Sequence, residues 1–270
     1  MAQMDLGWEA ALSGQYGLAA AYYKQADTLF SHARIYEMCS VAWAFYTHYL
    51  SDGPEALRLY NDWELKRSLR HYKIDGAVPD EAKIPEYNAL IRTKAWSEIQ
   101  SYVKDGIFAT WRDTPYETKM GISEAIRRFL RAGGPHATLI PVYMDYGGAQ
   151  FNIGNYTYAG TLFMRVVKHD TPGTNNHWVA SYRAALCFMF SREWQNALCV
   201  LEGTDTLGAI QYGRARESLM SLCKSLSSTS VYAKKVAEEV LKRPLFTPHE
   251  RALIRSMAGY PVSEWVDPPK

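Results

Sequence analysis

The pattern Gly14, Tyr16, Ala19, Tyr23, Ala26 returns 140 residues later as Gly154, Tyr156, Ala159, Phe163, Val166. A glycine two residues ahead of an aromatic marks a tight turn. The small and large apolar residues that follow at three- and four-residue steps make an amphipathic helix. A unit that recurs along a chain is the mark of stacked helix pairs, each covering the apolar face of the next. Length agrees, because 270 residues exceed the usual size of a domain built on one core, whereas a stack grows by addition. The sequence therefore predicts an all-α fold of antiparallel helix pairs, with one helical-repeat domain over 1–260 and a tail over 261–270.

Met4 to Phe30 reads as two short helices broken at Ser13 and Gly14. A second pair spans Ile35 to Leu50 and Pro54 to Tyr72, separated by the stop, cap and helix-start proline of Ser51, Asp52, Gly53 and Pro54, with Ala56 and Tyr60 as packing residues. Asp75 to Lys83 is a connecting loop, and a third pair is expected over Pro85 to Thr93 and Trp96 to Gly106, with Ile99 inside it. Thr114, Pro115, Tyr116 and Glu117 have the form of a capping box opening a helix to Ala132, which Gly133, Gly134 and Pro135 end. Pro141 leads into the repeat at Tyr143 to Lys168, Asp170 to Asn176 is a loop, and Tyr182 to Phe190 with Trp194 to Leu201 form a further pair. Trp194 lies 38 residues after Tyr156, close to one helix-pair period of ~34 residues. Helices from Ala209 to Leu226, from Ser230 to Arg243, and from a second capping box at Thr247 to Glu250 complete the chain. The tail from Pro261 holds Trp265 between prolines and acidic residues.

Gly7, Gly14, Tyr16, Ala19, Tyr23 and Ala26, and again Tyr146, Gly147, Gly154, Tyr156, Ala159 and Phe163, resemble the tetratricopeptide repeat. In that family small residues lie where helices cross and aromatics fill the neighbouring gap. Ala185, Trp194, Ala197 and Leu201 match it in part. The resemblance implies an α-solenoid whose concave face binds other proteins. The family's clamp for a partner's terminal carboxylate is not seen, since Gly148 and Phe151 occupy inner positions. One segment, Tyr87, Asn88, Ala89, Leu90 and Ile91, is instead similar to the first helix of the pentatricopeptide repeat. That likeness implies an RNA-reading role for Asn88. The plainer reading has Tyr87, Leu90 and Ile91 pack the helix while Asn88 faces outward.

Chemistry-bearing patterns are sparse. The histidines at 32, 48, 71, 136, 169, 177 and 249 form no metal-site spacing, and no phosphate-loop, dinucleotide or nucleophile-elbow motif occurs. His169 beside Asp170 and His249 beside Glu250 lie at helix ends, where polar residues serve as caps. The sequence thus predicts no catalytic residue, cofactor or metal. Basic residues gather at Lys66, Arg67, Arg70, His71 and Lys73, interleaved with Trp63 and Tyr72, and at Arg127, Arg128 and Arg131. Two readings stand: a surface for RNA or an acidic protein, and a solvated helix face with arginines near helix C-termini. The net charge of +2 is too small to decide for nucleic acid. Cys39, Cys187, Cys199 and Cys223 form no CxxC pair and lie in apolar stretches, so buried reduced thiols are expected. The first fourteen residues, with Asp5 and Glu9, have neither a secretory nor an Arg-rich transit pattern, and no apolar run reaches membrane-span length. The expectation is an intracellular protein, cytoplasmic or mitochondrial. It would be a non-enzymatic scaffold, adaptor or subunit for other proteins in a multi-subunit complex, with RNA binding as the alternative.

Overall fold

The structure is a computed structural model and describes residues 2–32, 52–74, 81–204, 210–227, 233–242 and 246–264. The expected helix Ile35 to Leu50, Cys39 and Trp265 lie outside these residues. Every regular element among the described residues is helical. The chain divides into two compact units, Met1–Pro135 and His136–Lys270.

The first unit contains α1 (Ala2–Leu12), α2 (Tyr16–His32), α3 (Gly53–Tyr72), α4 (Ile84–Lys104) and α5 (Tyr116–Arg131). Helix α1 packs on α2 and α3, and α3, α4 and α5 pack on one another. Asp52 caps α3 by accepting from the Glu55 N–H at 3.3 Å, and Pro54 occupies its first turn, as the sequence indicates. Helix α4 departs from expectation: the predicted break near Thr93 is absent and one helix runs through. Lys94 and Ala95 are good helix formers, and Ile91, Ala95 and Ile99 are buried at four-residue steps along one face, which holds the segment together. The capping box at Thr114 is also absent. Pro115 caps α5 without a side-chain bond, and the Thr114 hydroxyl donates backwards to the Thr110 carbonyl at 3.0 Å.

The second unit contains α6 (Ile140–Asn152), α7 (Tyr156–His169), α8 (Asn175–Phe190), α9 (Trp194–Gly203), α10 (Ile210–Ser227), α11 (Ala233–Leu241) and α12 (Pro248–Met257). Each packs on its neighbour in sequence, and α6 and α10 also touch α8. Pro141 lies in the first turn of α6, where its missing N–H is harmless. Helix α8 begins at Asn175, seven residues before the predicted Tyr182, because Thr174 caps it by accepting from the His177 N–H at 3.1 Å. The second capping box does form: Thr247 and Glu250 exchange bonds of 2.8 and 3.3 Å at the start of α12.

Three turns share one geometry. Gly14 (φ 73°), Gly154 (φ 83°) and Arg192 (φ 61°) are left-handed residues, each two places before Tyr16, Tyr156 or Trp194. Their N–H groups donate to Ala11, Phe151 and Met189 at 3.0 Å, and the next N–H reaches back to Ala10, Gln150 and Phe188 at 2.9, 3.0 and 2.8 Å. This double bond pattern satisfies the last carbonyls of a helix and reverses the chain within two residues. The crossing that follows repeats as well. A Cβ on Gly7 would lie 2.9 Å from the Tyr23 ring, and one on Gly147 would lie 2.8 Å from the Phe163 ring. Both rings are fully buried. The third repeat carries Ala185 and Leu201 at the equivalent positions, both buried, a larger small residue against a smaller large one.

Candidate functional site: a buried arginine–glutamate network beside a cleft

Helix α5 has no solvated face from Ile122 to Leu130. Ile122, Ala125, Ile126, Phe129 and Leu130 are buried, and so are Glu124, Arg127 and Arg128 between them. Glu124, Arg127, Arg128 and Arg131 recur at helical spacing and face α3 and α4. On α3, Tyr60, Glu64 and Arg67 share one face by the same rule. Arg127 and Arg128 of the second basic cluster therefore lie inside the first unit, where Arg67 of the first cluster joins them, while Lys66, Arg70, His71 and Lys73 stay exposed.

Glu124 is the centre. Its Oε2 accepts from Arg67 Nη1 at 2.6 Å and from Arg127 Nη2, with Arg128 Nη2 at 3.5 Å. Arg127, 1% exposed, also lies 3.6 Å from Glu64 Oε1. Arg128 Nη1 is 3.9 Å from Glu98 Oε2, which accepts from the Tyr72 hydroxyl at 2.7 Å and lies 3.6 Å from His71 Nε2. Arg131 donates to the Tyr60 hydroxyl at 2.9 Å and stacks over the Trp8 ring at 3.8 Å. Tyr60 in turn donates to Glu64 at 3.2 Å. Of the first cluster, Arg67 alone is drawn into this interior. Lys66 pairs with Asp62 at 2.7 Å in solvent, and Lys73 is the left-handed cap of α3.

Burial raises the Glu124 carboxyl to about 7, with Arg67 and Arg128 pulling it down. Convergence of three guanidinium groups on one oxygen needs the carboxylate, so the network is complete above that value. Burial, and then the Arg128 charge, lower His71. Burial also raises the hydroxyls of Tyr23, Tyr60 and Tyr72.

A cleft of about 650 Å³ opens beside the network, with Trp8, Asn61, Glu64, Asn88, Arg128 and Arg131 among its walls. Asn88 is half-buried and lines the cleft, while Leu90 is 48% exposed and Ile91 2%. This reverses the expected roles of Leu90 and Asn88. Ile91 fixes the buried face of α4, so a residue three before it flanks that face and the residue directly before it is turned about 100° away.

The remaining candidates sit in local contacts. Asp170 accepts from the Thr171 N–H at 2.8 Å and the Thr174 hydroxyl at 2.5 Å, and His169 stacks on His136 at 4.0 Å. The His136 Nδ1 meets the Tyr143 hydroxyl at 2.8 Å. Burial, then His169, Arg165 and Lys168, lower the His136 imidazole to about 3. Glu250 is taken up by the capping box, and His249 meets the Phe151 ring edge-on at 5.8 Å. Cys187 and Cys223 are buried free thiols and burial lifts Cys223 to about 11, but Cys199 is exposed, against expectation. It lies on the outer side of the short helix α9, away from buried Ala197, Val200 and Leu201. Among the described residues no group of three His, Cys, Asp or Glu is placed to hold a metal ion, and no helix is long and apolar enough to cross a membrane. Comparisons with protein families, curated proteins and solved structures found no match.

Proposed function

We propose that this chain is a non-enzymatic helical-repeat protein of tetratricopeptide type that works inside the cell as a scaffold, adaptor or structural subunit for other proteins. The observation that carries this reading is the threefold recurrence of one turn, at Gly14, Gly154 and Arg192, joined to one small-against-large exchange in the helices it links. Neighbour-on-neighbour packing from α6 to α12 supports a stack of the solenoid kind. The proposed binding face is that of α6 and α8, where Gly148, Phe151, Asn152 and Arg183 line a small cavity of about 120 Å³. The RNA reading rests on Asn88 and the two basic clusters; Arg67, Arg127 and Arg128 are held by carboxylates while Lys66, Arg70 and Lys73 stay exposed, which leaves that reading the weaker support.

The native mass of the protein in extract of its source tests the proposal. A ribonuclease-resistant assembly well above the 30.7 kDa of one chain is expected. Ala159→Trp, which forces bulk into a fully buried crossing, should return the protein to the unassembled fraction. Migration of the native protein as a single chain contradicts the proposal.

A further inference from the structure

We infer that the cavity at the turn between α8 and α9 binds a small carboxylate carried on an aromatic or branched aliphatic body. This goes beyond the scaffold reading and does not depend on it. Arg192 holds a left-handed backbone (φ 61°) at the position where the two sister turns have Gly14 and Gly154, which enter that conformation without a steric penalty. A side chain kept in place against its backbone preference points to a role for that side chain. The role is not internal to the fold. Arg192 is exposed, and its guanidinium makes no hydrogen bond or ion pair among the described residues. The adjoining Glu193 is turned elsewhere, accepting from Asn196 Nδ2 at 2.7 Å and from the Thr157 hydroxyl at 3.1 Å.

Arg192 lines a cavity of about 440 Å³, within the ~300–1,000 Å³ range of small-molecule sites. Tyr156, Phe190 and Trp194 give it aromatic wall from the starts of α7 and α9 and the end of α8, while Leu253 and Met257 of α12 give aliphatic wall. The rings support one another: Tyr156 meets Phe190 at 5.2 Å, and buried Phe151 backs them at 5.4 and 5.8 Å. Among the described residues Arg192 is the one charged group on this wall. A single guanidinium fork beside apolar surface matches a single planar anion, so a carboxylate takes its paired donors while the rings cover the apolar body. A phosphate dianion would leave charge uncompensated.

Three ligands titrated into the full chain at constant ionic strength test this: 3-phenylpropionate; 3-phenylpropanamide, which keeps the body and loses the charge; and acetate, which keeps the charge and loses the body. Binding is read on the indole N–H resonance of Trp194, assigned by its absence in Trp194→Phe. A saturable one-site shift is expected for 3-phenylpropionate, with the amide and acetate each bound about ten-fold more weakly or worse, the difference that one charge-assisted hydrogen bond or one buried ring supplies. Arg192→Gly, which restores the residue of the sister turns, should weaken 3-phenylpropionate to the level of the amide. Should glycine disturb the turn, Arg192→Gln carries the same comparison, since it removes the charge and keeps a polar stem. No saturable shift with 3-phenylpropionate, equal affinity for acid and amide, or unchanged affinity in either folded Arg192 variant overturns the inference.

Discussion

Replacing Gly147 by alanine would place a methyl group 2.8 Å from the Phe163 ring, where ordinary carbon contacts lie near 3.5–4.0 Å. The ring is fully buried and cannot swing into solvent, so the helices must separate or the ring must shift by more than half an ångström. Overpacking of this kind costs ~1–3 kcal/mol, and the better helix propensity of alanine returns ~1 kcal/mol. A net destabilisation of up to ~2 kcal/mol is expected. Phe163→Leu alone leaves a void and costs ~1–2 kcal/mol. The double variant reproduces the Ala185 and Leu201 combination of the third repeat, so the two changes should compensate by ~1 kcal/mol or more. Urea unfolding of the four proteins closes the cycle, read on the transition of the second unit. Strict additivity would falsify the claim that the repeats share one crossing.

Three further outcomes follow from the same geometry. Glu124→Ala leaves Arg67, Arg127 and Arg128 without their shared acceptor and should destabilise the first unit by ~3–5 kcal/mol in chemical denaturation; a change below ~0.5 kcal/mol would show that the network is dispensable. His136, whose folded value near 3 lies below the unfolded ~6.5, is protonated preferentially in the unfolded chain between these values. Its contribution is therefore present above ~6.5 and declines as pH falls toward 3. The full shift would give ~2 kcal/mol by pH 5, reduced to ~1 kcal/mol because the ring is only partly buried. His136→Gln should flatten that slope in melting curves from pH 7 to 5, and an unchanged slope would remove the assignment. Arg192→Gly relieves a left-handed conformation and should raise stability by up to ~1 kcal/mol, whereas a loss would mean that the arginine side chain contributes more than its backbone costs.

Local periodicity made the turns and crossings legible, because Gly14, Gly154 and the residues after them act within one helix pair. Breaks were harder to place. The stretch around Lys94 has no glycine or proline to stop it, and only the buried run Ile91, Ala95, Ile99 shows that α4 continues. Thr114 and Glu117 have the spacing of a cap, but a hydroxyl can bond backwards to the preceding turn as readily as forwards. The charged interior was illegible for a different reason. Arg67, Glu98 and Glu124 lie on separate helices, and their pairing appears only when α3, α4 and α5 pack. The sequence carried no sign of this, because the apolar residues at 122, 125, 126, 129 and 130 all fall within about 140° on one side of α5, so the opposite side with Arg127 and Arg128 reads as an ordinary solvated face.

The central claim is that this chain holds protein partners through its helical repeats. Affinity capture of the tagged protein from its native source, with and without ribonuclease, tests it most directly when the stoichiometry of what stays bound is measured. The account predicts protein partners in fixed ratio that survive ribonuclease and disappear with Ala159→Trp. Partners released by ribonuclease, or none in fixed ratio, would contradict it.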